Sequence, residues 1–597
     1  MGMSYMSTPS AGGGSDANTG SARILRLTIE RFRGIQQFHW KPANGLNVVL
    51  GGGDVGKTSI LDAIGLLLSP TNPSVLADSD YYGRHIEAEF LIEADVSLPP
   101  ACGVDHQLKP SWPWHWNGEQ TVVPNAESEA TTSDTAAYRL RVRGTEDLEL
   151  LYEIVQPDGT TSPLSVALRR SIGLVRLSGD DRNDRDLRLV QGSALDRLLG
   201  DRNLRSRIAN ELAKSQVKEH LTDEGKSVLS LLDATFQKEN LPEGLDLAVT
   251  GGPGASIASM IGLTALHTGV QLPLASWGAG TRRLSALVIA EQNKAESPIL
   301  LVDEIERGLE PYRQRLLIGK LQTGISQGFI TTHSPAVIAA ADKATFWYVD
   351  HAGHLGPLDG KKIAKHRAHD PNTFLSRLAV IGEGITEVGF VRALLAHALA
   401  ADPLQYGIHV SSGGGNEATL GVLEALAVGG LRFGCFADEE GTFPDRWKAV
   451  IEAQGALAFR WPSGCLETNL IVALPAEKLE DLIADPLEEK TGRRLRTLQD
   501  RLGTADKSFL TLRDHLGANF KDVIIQAATG EVPDDKFPLA KEYKSHARDW
   551  FKTEQGGREL ESKLFSLGLW PTFRPLLLPF CNAVRQAVGL PGLTDLT

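Results

Sequence analysis

The sequence predicts an α/β protein made of two successive modules. Near the start, the apolar run LNVVL leads into a glycine-rich turn and then into an apolar-periodic helix, SILDAIGLLL. Later, the apolar runs LAVIG and LRFGCFA each end in acidic residues, and a helical pattern follows the first of them. Strands that alternate with helices in this way usually form parallel sheets with helices on their faces.

Length and composition limit the possible classes of protein. A chain of 597 residues is too long for one ordinary core, so two or more domains are expected. No apolar stretch approaches the roughly 20 residues of a membrane helix, and we expect no membrane partner. The scattered cysteines show neither zinc spacing nor a disulfide framework, which predicts a cytoplasmic protein: Cys102, Cys435, Cys465 and Cys581. A net charge of −13 argues against a basic surface overall, but a local groove can still be positive.

The pattern along the chain predicts three parts. Residues 1–22 are rich in glycine and serine, without an apolar core, and are expected to form a disordered tail rather than a signal peptide. Residues 23–372 are predicted to form one nucleotide-binding domain with a helical insertion at about 194–245, assigned to dimerisation. Residues 373–597 are predicted to form a second α/β domain with added helices.

A Trp-rich segment, 99–136, interrupts the first module. Its composition, as in KPSWPWHWNG, predicts a long loop or irregular insertion. The tryptophans could stack on nucleic-acid bases, but a small apolar lid is the favoured interpretation.

The stretch GGGDVGKTS is the first candidate site. It fits the P-loop pattern of Gly51, Gly56, Lys57 and Thr58. Amides of the turn would bind phosphate oxygens, Lys57 would reach the terminal phosphates of ATP, and Thr58 would ligate Mg²⁺. The predicted ATP-binding residues of this loop also include Gly53, Asp54 and Ser59. A chance glycine turn is the alternative, and the flanking strand and helix disfavour it.

Two later strands supply further nucleotide-site candidates. PILLVDEIE is an apolar strand that ends in Asp303 and Glu304. Asp303 would hold the magnesium shell, and Glu304 would polarise the attacking water. FITTHSP places His333 at the end of another strand, where it would sense the γ-phosphate.

Taken together, LRLTIERFRGI, the P-loop, LLVDEIERGLEP and TTHSP resemble the ABC-type ATPases of the SMC class. The stretch ASWGAGTRR, with Ser276, Gly278 and Gly280, resembles a degenerate signature loop of that class. Such a loop caps the nucleotide of a partner subunit, so the resemblance implies a homodimer or higher homo-oligomer. Gly53 stands where the class usually has Asn, and the signature loop lacks its usual glycine doublet and Gln. Gln191 is the candidate for the Q-loop glutamine.

Acidic residues follow the strands of the second module. They are Glu383 and Glu387 after the first strand, Asp438, Glu439 and Glu440 after the second, and Glu467 at the start of a helix. The carboxyl ends of parallel strands meet at one sheet edge, so these carboxylates would repel one another unless cations lie between them. Hard oxygen ligands select Mg²⁺ or Mn²⁺. For Glu387 and Glu439, favourable charge at a helix N-terminus is the alternative.

This half resembles a Toprim domain, whose signature is a Glu after one strand and Asp-x-Asp after another. The resemblance implies that Glu383, Asp438 and Glu440 bind two metal ions, with Glu387 and Glu467 as further ligands. Glu440 departs from the signature, because it stands where Toprim domains carry a second Asp.

Basic residues of the last part are candidates for contacts with a phosphodiester. In ARDWFKTEQGGREL, Lys552 lies in a helix-like segment before a predicted Gly-Gly turn, where it would stabilise a leaving phosphate oxygen. An ordinary surface lysine is the alternative. A set of further basic residues would either line a path for nucleic acid or form solvated helix faces: Arg493, Arg494, Arg496, Lys541, Lys544 and Arg548.

An SMC-like ATPase followed by Toprim is the arrangement of the OLD (overcoming lysogenization defect) nucleases, and the WFKTEQGGRE ending is similar to the class 2, GajA-like members. The resemblance implies an ATP-regulated, metal-dependent DNA endonuclease of anti-phage defence or DNA processing, with a UvrD-like helicase as partner. Its implied catalytic residues are Glu383, Asp438, Glu440, Lys552 and, for ATP hydrolysis, Glu304. The alternative is an ATP-driven nucleic-acid sensor or scaffold whose Toprim site is not catalytic.

Overall fold

A computed structural model describes residues 21–596, apart from 54, 72–75, 105–110, 125–134, 178–185, 191–192, 201–216, 250–260, 293–297, 359, 486–488 and 533–539. Asp54, Gln191, most of the predicted tail and the middle of the predicted insertion lie outside the described residues. The described chain forms two compact units. The first is drawn from residues 1–47, 58–310 and 320–331, and the second from 48–57, 311–319 and 332–597.

Strands and helices alternate along much of the chain. The strands are β1 (Arg23–Phe32), β2 (Ile35–Trp40), β3 (Gly45–Gly51), β4 (Phe90–Ser97), β5 (Trp114–Trp116), β6 (Thr121–Val122), β7 (Thr135–Gly144), β8 (Leu150–Val155), β9 (Thr161–Pro163), β10 (Leu174–Leu177), β11 (Asp246–Val249), β12 (Ile261–His267), β13 (Val270–Pro273), β14 (Ile299–Val302), β15 (Gln327–Thr331), β16 (Thr345–Val349), β17 (Leu355–Pro357), β18 (Leu378–Gly382), β19 (Ile408–Ser412), β20 (Phe433–Ala437) and β21 (Ala458–Arg460). The helices are α1 (Lys57–Leu67), α2 (Val166–Ile172), α3 (Ala194–Leu199), α4 (Asp223–Lys238), α5 (Ala279–Gln292), α6 (Pro311–Gly324), α7 (Pro335–Ala340), α8 (Lys361–His369), α9 (Ile385–Leu399), α10 (Asn416–Gly429), α11 (Pro444–Gln454), α12 (Leu466–Ala473), α13 (Leu479–Ile483), α14 (Thr491–Leu502), α15 (Phe509–Leu516), α16 (Phe520–Thr529), α17 (Ala540–Asp549), α18 (Glu554–Ser566) and α19 (Trp570–Ala587).

The first unit contains a large antiparallel sheet in which β2, β1, β4 and β7 are successive neighbours. Its strands alternate, with Leu27 and Ile29 of β1 buried on one face. On β4 and β7, arginines pair with acids across the strands, as Arg141 does with Glu93 at 2.7 Å. One face therefore packs on a core while the other carries ion pairs, as is usual for antiparallel sheets.

The Trp-rich segment does not form the predicted irregular loop throughout. Trp114 and Trp116 belong to β5, which pairs with β7. The Trp114 indole donates a hydrogen bond to the carbonyl of Val155 at 2.9 Å, and the Arg139 guanidinium lies 4.2 Å from its ring centre. These two tryptophans therefore extend the sheet, because aromatic side chains pack well on a pleated surface.

A parallel arrangement in the first unit positions the acidic end of β14. β10 pairs with β14, and β14 with β15, both in parallel. All four residues of β14 are buried, which explains the unbroken apolar run that precedes Asp303. Of the predicted insertion, the structure describes α3 and α4, and a small antiparallel sheet, β11–β12–β13, follows.

The second unit is built around a four-stranded sheet in the order β19–β18–β20–β21. All of its pairings are parallel, and Gly382 of β18 lies opposite Phe436 of β20. Every residue of β18 and β20 is buried. The carboxyl ends of these two central strands therefore lie side by side.

Helices α9 and α18 of the second unit cross at van der Waals contact. A Cβ added at Gly389 would lie 1.9 Å from the carbonyl oxygen of Glu554, and one at Gly557 would lie 2.0 Å from that of Thr386. The prediction of a Gly-Gly turn after Lys552 is wrong. Gly556 and Gly557 lie within α18, where the missing side chains allow the two backbones to touch.

None of the helices in the described ranges combines the length and apolarity needed to cross a bilayer.

Candidate functional site

The predicted P-loop follows β3, and its lysine begins α1. Within the second unit, Lys57 is buried, and its ammonium donates hydrogen bonds to the carbonyls of Gly51 and Gly52 at 3.1 and 2.5 Å. Gly51 has a φ of +152°, and a Cβ there would lie 2.7 Å from the carbonyl oxygen of Val349. Only glycine fits at this position, because both the backbone angle and the close approach exclude a side chain.

In the first unit, the candidate magnesium ligands lie together. The Thr58 hydroxyl donates a hydrogen bond to Asp303 Oδ2 at 3.1 Å, and the Thr331 hydroxyl donates to Asp303 Oδ1 at 2.5 Å. Thr331 Oγ1 also accepts the backbone N–H of Glu304 at 2.8 Å. The hydroxyl of Thr58 and the carboxylate of Asp303 thus offer adjacent oxygen ligands, which suit Mg²⁺.

Glu304 adopts an unusual backbone conformation for a residue that carries a side chain. Its φ is +48°, in the left-handed region, and its Oε2 lies 3.5 Å from Nη1 of Arg307. Such conformations cost about 1–3 kcal/mol and persist where the surrounding structure enforces them, often at functional sites. Here the hydrogen bond to Thr331 and the preceding β14 hold the backbone of Glu304 in place.

Sequence reasoning missed Arg283 on α5. It is buried, and its guanidinium donates a short hydrogen bond to the carbonyl of Asp303. Burial lowers its pKa, against the opposing effect of Glu306 and Asp303. The only sequence feature that could have indicated Arg283 is the arginine pair in ASWGAGTRR. Nothing in that stretch indicates a contact with Asp303, which follows β14.

The predicted signature loop is partly exposed, and the predicted γ-phosphate sensor is exposed. Ser276 and Gly278 are exposed, whereas Gly280 is buried, and a Cβ there would lie 2.0 Å from the carbonyl oxygen of Gly308. The loop therefore packs through Gly280 on the segment that follows Glu304. His333 follows β15 and has an exposed side chain.

Glu383 and Asp438 contact each other at the carboxyl ends of β18 and β20. Glu383 Oε2 accepts a hydrogen bond from the backbone N–H of Asp438 at 3.1 Å. Asp438 Oδ1 in turn accepts the N–H of Leu466, the first residue of α12, at 3.1 Å. Both acids are buried, with 6 % and 7 % of their surface exposed.

Glu387 and Glu467 approach the same edge from the first turns of α9 and α12. Glu387 Oε2 accepts the N–H of Gly384 at 2.8 Å, but its Oε1 is buried without a hydrogen-bond partner in the described structure. Glu467 is fully buried, and its Oε1 lies 3.1 Å from Nζ of Lys552. Neither oxygen of Glu467 meets hydrogen-bond geometry with a described residue, so the contact with Lys552 is an ion pair.

The electrostatics of this cluster favour a cation. The pKa of Glu383 is raised to about 7, mainly by burial and also by the nearby charges of Glu440 and Glu387. Burial likewise raises the pKa of Asp438 to about 9, with further contributions from Glu387 and Glu467. Carboxylates crowded in a buried site hold protons unless another positive charge compensates them. Glu387 Oε1 and Glu467 Oε2 are buried without hydrogen-bond partners among the described residues, which fits a bound divalent ion, and oxygen donors suit Mg²⁺ or Mn²⁺.

Lys552 is the basic member of the cluster. Burial lowers the pKa of its ammonium, but the carboxylates of Glu467 and Glu387 outweigh that effect and hold the pKa above its usual value. The carbonyl of Phe551, the preceding residue, accepts a hydrogen bond from the Thr386 hydroxyl at 3.1 Å. The start of α9 therefore fixes the chain on which Lys552 lies.

The remaining two acids of the second strand differ in their surroundings. Glu439 pairs with Arg460 at 2.8 Å and accepts the N–H of Gly441 at 2.7 Å, so it is occupied by a local ion pair. Glu440 is exposed, yet its charge contributes to the raised pKa of Glu383. Glu440 is therefore close enough for its charge to act on Glu383, and its side chain is open to solvent.

One member of the predicted basic path does not reach the surface. Arg494 is fully buried and forms a bidentate ion pair with Glu559, at 2.7 and 2.6 Å. It also donates to the carbonyl of Ile483 at 3.2 Å, so its role is structural. The other predicted members are exposed: Arg493, Arg496, Lys541, Lys544 and Arg548.

A comparison with protein families found a match for part of the chain. Residues 170–339 match the family model described as "AAA domain, putative AbiEii toxin, Type IV TA system". The match covers Asp303, Glu304 and the predicted signature loop, but less than half of the chain. This part of the chain is therefore similar to an ATPase domain of that family. A search of curated proteins found no match.

Several solved structures are similar to part of the chain. An SMC head bound to the C-winged helix domain of ScpA is 14 % identical, covers 57 % of this chain and 99 % of its own, and gives a TM-score of 0.36. The recombination mediator RecF-ATPrS is 14 % identical, with coverages of 57 % and 99 % and a TM-score of 0.34. An Smc head from Pyrococcus furiosus, bound to the C-terminal domain of ScpA, is 14 % identical, with coverages of 58 % and 98 % and a TM-score of 0.35.

Proposed function

We propose that this protein is an ATP-regulated endonuclease that hydrolyses phosphodiester bonds of DNA with divalent metal ions. The observation that carries the proposal is the buried cluster of Glu383, Asp438, Glu387 and Glu467 beside Lys552. Acids gathered at the carboxyl ends of β18 and β20 lie where α/β sheets usually bind ligands. The order of these residues in the sequence resembles that of a Toprim domain, and this resemblance supports the proposal of a class 2 OLD-like nuclease.

The chain's own residues would divide the work as follows. Glu383 and Asp438 would hold the cations, and the further ligands would be Glu387, Glu467 and the exposed Glu440. Divalent metal bound by these residues would supply activation of a water and stabilisation of the departing oxygen. Lys552 holds its proton firmly, because Glu467 and Glu387 raise its pKa, so it acts as a fixed positive charge beside the scissile phosphate.

The ATPase domain supplies regulation in this proposal. Lys57 binds the terminal phosphates, while Thr58 and Asp303 hold the magnesium of the nucleotide. Glu304, in its constrained conformation, orients the attacking water. A second copy of the chain would contribute Ser276, Gly278 and Gly280, so ATP binding would bring two copies together.

A plasmid-cleavage assay tests the proposal. The full-length protein is incubated with supercoiled DNA and Mg²⁺ or Mn²⁺, with and without ATP, beside the Glu383→Ala variant. Nicked or linear product from the native protein alone supports the proposal. Glu452→Gln is the matched control, because Glu452 is an exposed acid on α11 outside the cluster, and it should cut normally.

One departure favours a second function. Glu440 stands where the Toprim signature has Asp, and its side chain is exposed. A protein with a weakened metal site would act as an ATP-driven nucleic-acid sensor or scaffold. DNA binding that depends on ATP, without cleavage under any metal, would favour the sensor over the nuclease.

A further inference from the structure

A second group of metal-ligating side chains lies on α14 and α17, outside the cluster already described. Asp500 belongs to α14, and Glu542 and His546 belong to α17. Each offers one ligand atom, and these atoms lie within 4.8 Å of one another. Glu542 and His546 are four residues apart, which places them on one face of the helix, the spacing that helical metal-binding pairs use.

The two ring nitrogens of the buried His546 imidazole have different surroundings. His546 is 5 % exposed, and its Nδ1 is buried without a hydrogen-bond partner among the described residues. Its Nε2 lies 3.9 Å from Asp500 Oδ2, which is beyond hydrogen-bonding distance. Buried polar groups without partners are rare in folded proteins, and a bound ion can supply the missing partner.

The charges around His546 suit a cation. The Arg501 guanidinium lies 4.7 Å from the ring centre of Tyr543 and donates to its carbonyl at 3.3 Å. The acids Asp500, Glu542 and Asp549 act on His546 through their negative charges, and Arg493 lies 3.9 Å from Asp549.

We propose that Asp500, Glu542 and His546 bind one zinc-type dication that ties α14 to α17. One imidazole and two carboxylates form a mixed N/O ligand set, which favours Zn²⁺ over Mg²⁺ or Ca²⁺. α17 ends at Asp549, and the backbone N–H of Lys552 donates to the carbonyl of Ala547 at 3.0 Å. A metal on α17 therefore steadies the segment that leads to Lys552. This site does not depend on the proposed nuclease activity.

Zinc titration of the full-length protein tests this site. The background is the Glu383→Gln/Asp438→Asn double variant, which weakens metal binding at the strand edge. We expect calorimetry to show one tight equivalent of Zn²⁺. Adding Glu542→Gln or His546→Gln should weaken that binding by more than about tenfold, as loss of a ligand does. Asp514→Asn, on the exposed surface of α15, is the matched control and should leave binding unchanged.

A second readout separates ligation from folding. Co²⁺ bound at the site should give visible absorption that Glu542→Gln abolishes while far-UV circular dichroism stays native. Glu542 is exposed, so its variant is expected to fold even if His546→Gln does not. Unchanged Zn²⁺ affinity and stoichiometry in Glu542→Gln would overturn the proposal, as would the absence of a tight equivalent in the background protein.

Discussion

The backbone N–H of Asp438 donates a hydrogen bond to the Glu383 carboxylate at 3.1 Å, across the neighbouring strands β20 and β18. This contact brings together two acids that directly follow two separate strands. It also explains why their electrostatics are linked, because the charge of Glu383 contributes to the raised pKa of Asp438. The cluster and the nucleotide site use different residues, so each can be tested by its own variants.

The stability of the metal-free protein should fall as the pH rises from 7 to 9. Unfolded carboxyls lose their protons near pH 4, whereas the pKa values of Glu383 and Asp438 in the folded protein are about 7 and 9. The folded state therefore binds more protons in this window, and deprotonation costs stability. Melting temperatures in EDTA should decline across it.

Added Mn²⁺ should remove most of that decline, since it replaces the lost protons as counter-charge. Burial holds the pKa of His366 below 6.5, so deprotonation of this residue makes the protein more stable as the pH rises, but only at pH values below about 7. A melting temperature in EDTA that rises between pH 7 and 9 would contradict the electrostatic account.

Glu387→Gln should stabilise the metal-free protein at pH 8 and weaken its response to Mn²⁺. Burial and the charge of Glu467 raise the pKa of Glu387, so its deprotonated form is destabilising without a cation. We expect melting in EDTA to rise by about 2–4 °C for each kcal/mol relieved. Glu477→Gln, on the surface, provides the comparison. A destabilised variant with an unchanged Mn²⁺ response would assign Glu387 a purely structural role.

Lys57→Ala should lower the affinity for ATP by at least about tenfold, or 1.4 kcal/mol, measured with a fluorescent nucleotide. The Lys57 ammonium lies over the carbonyls of Gly51 and Gly52, at the point where the phosphates would bind. Lys448→Ala, an exposed lysine on α11, should bind ATP like the native protein. Tight ATP binding by Lys57→Ala would argue against the P-loop assignment.

Lys552→Met should reduce the rate of DNA cleavage by about 10²-fold or more while Mn²⁺ still binds. Removing the ammonium leaves Glu467 buried without its ion-pair partner, so Lys552→Arg serves as a charge-conserving variant. Partial recovery of the rate by Lys552→Arg would indicate that the positive charge matters. Full activity of Lys552→Met would assign the residue to packing alone.

Much of the two sites follows from the sequence, because strand ends are encoded locally. The apolar runs before Asp303, Glu383 and Asp438 identify buried strands, and parallel pairing brings the two later acids to one edge. The glycine turn before Lys57 has its own sequence pattern.

Long-range contacts escaped sequence reasoning. The sequence around Arg494 predicts a solvated helix face, but the distant Glu559 and the carbonyl of Trp550 surround its guanidinium in the fold. The glycines of α18 suggest a turn until α9 is packed against them. The ion pair of Glu467 with Lys552 joins segments far apart in sequence, for which no local periodicity exists.

The most direct test of the shared metal site is electron paramagnetic resonance of Mn²⁺ bound to the Glu542→Gln protein, which keeps the α14–α17 group from contributing. We expect a spin-coupled pair of ions about 4 Å apart, and loss of that coupling when Asp438→Asn is added. Only isolated Mn²⁺ signals, or the same coupled signal after Asp438→Asn, would contradict the claim that Glu383 and Asp438 share a metal site.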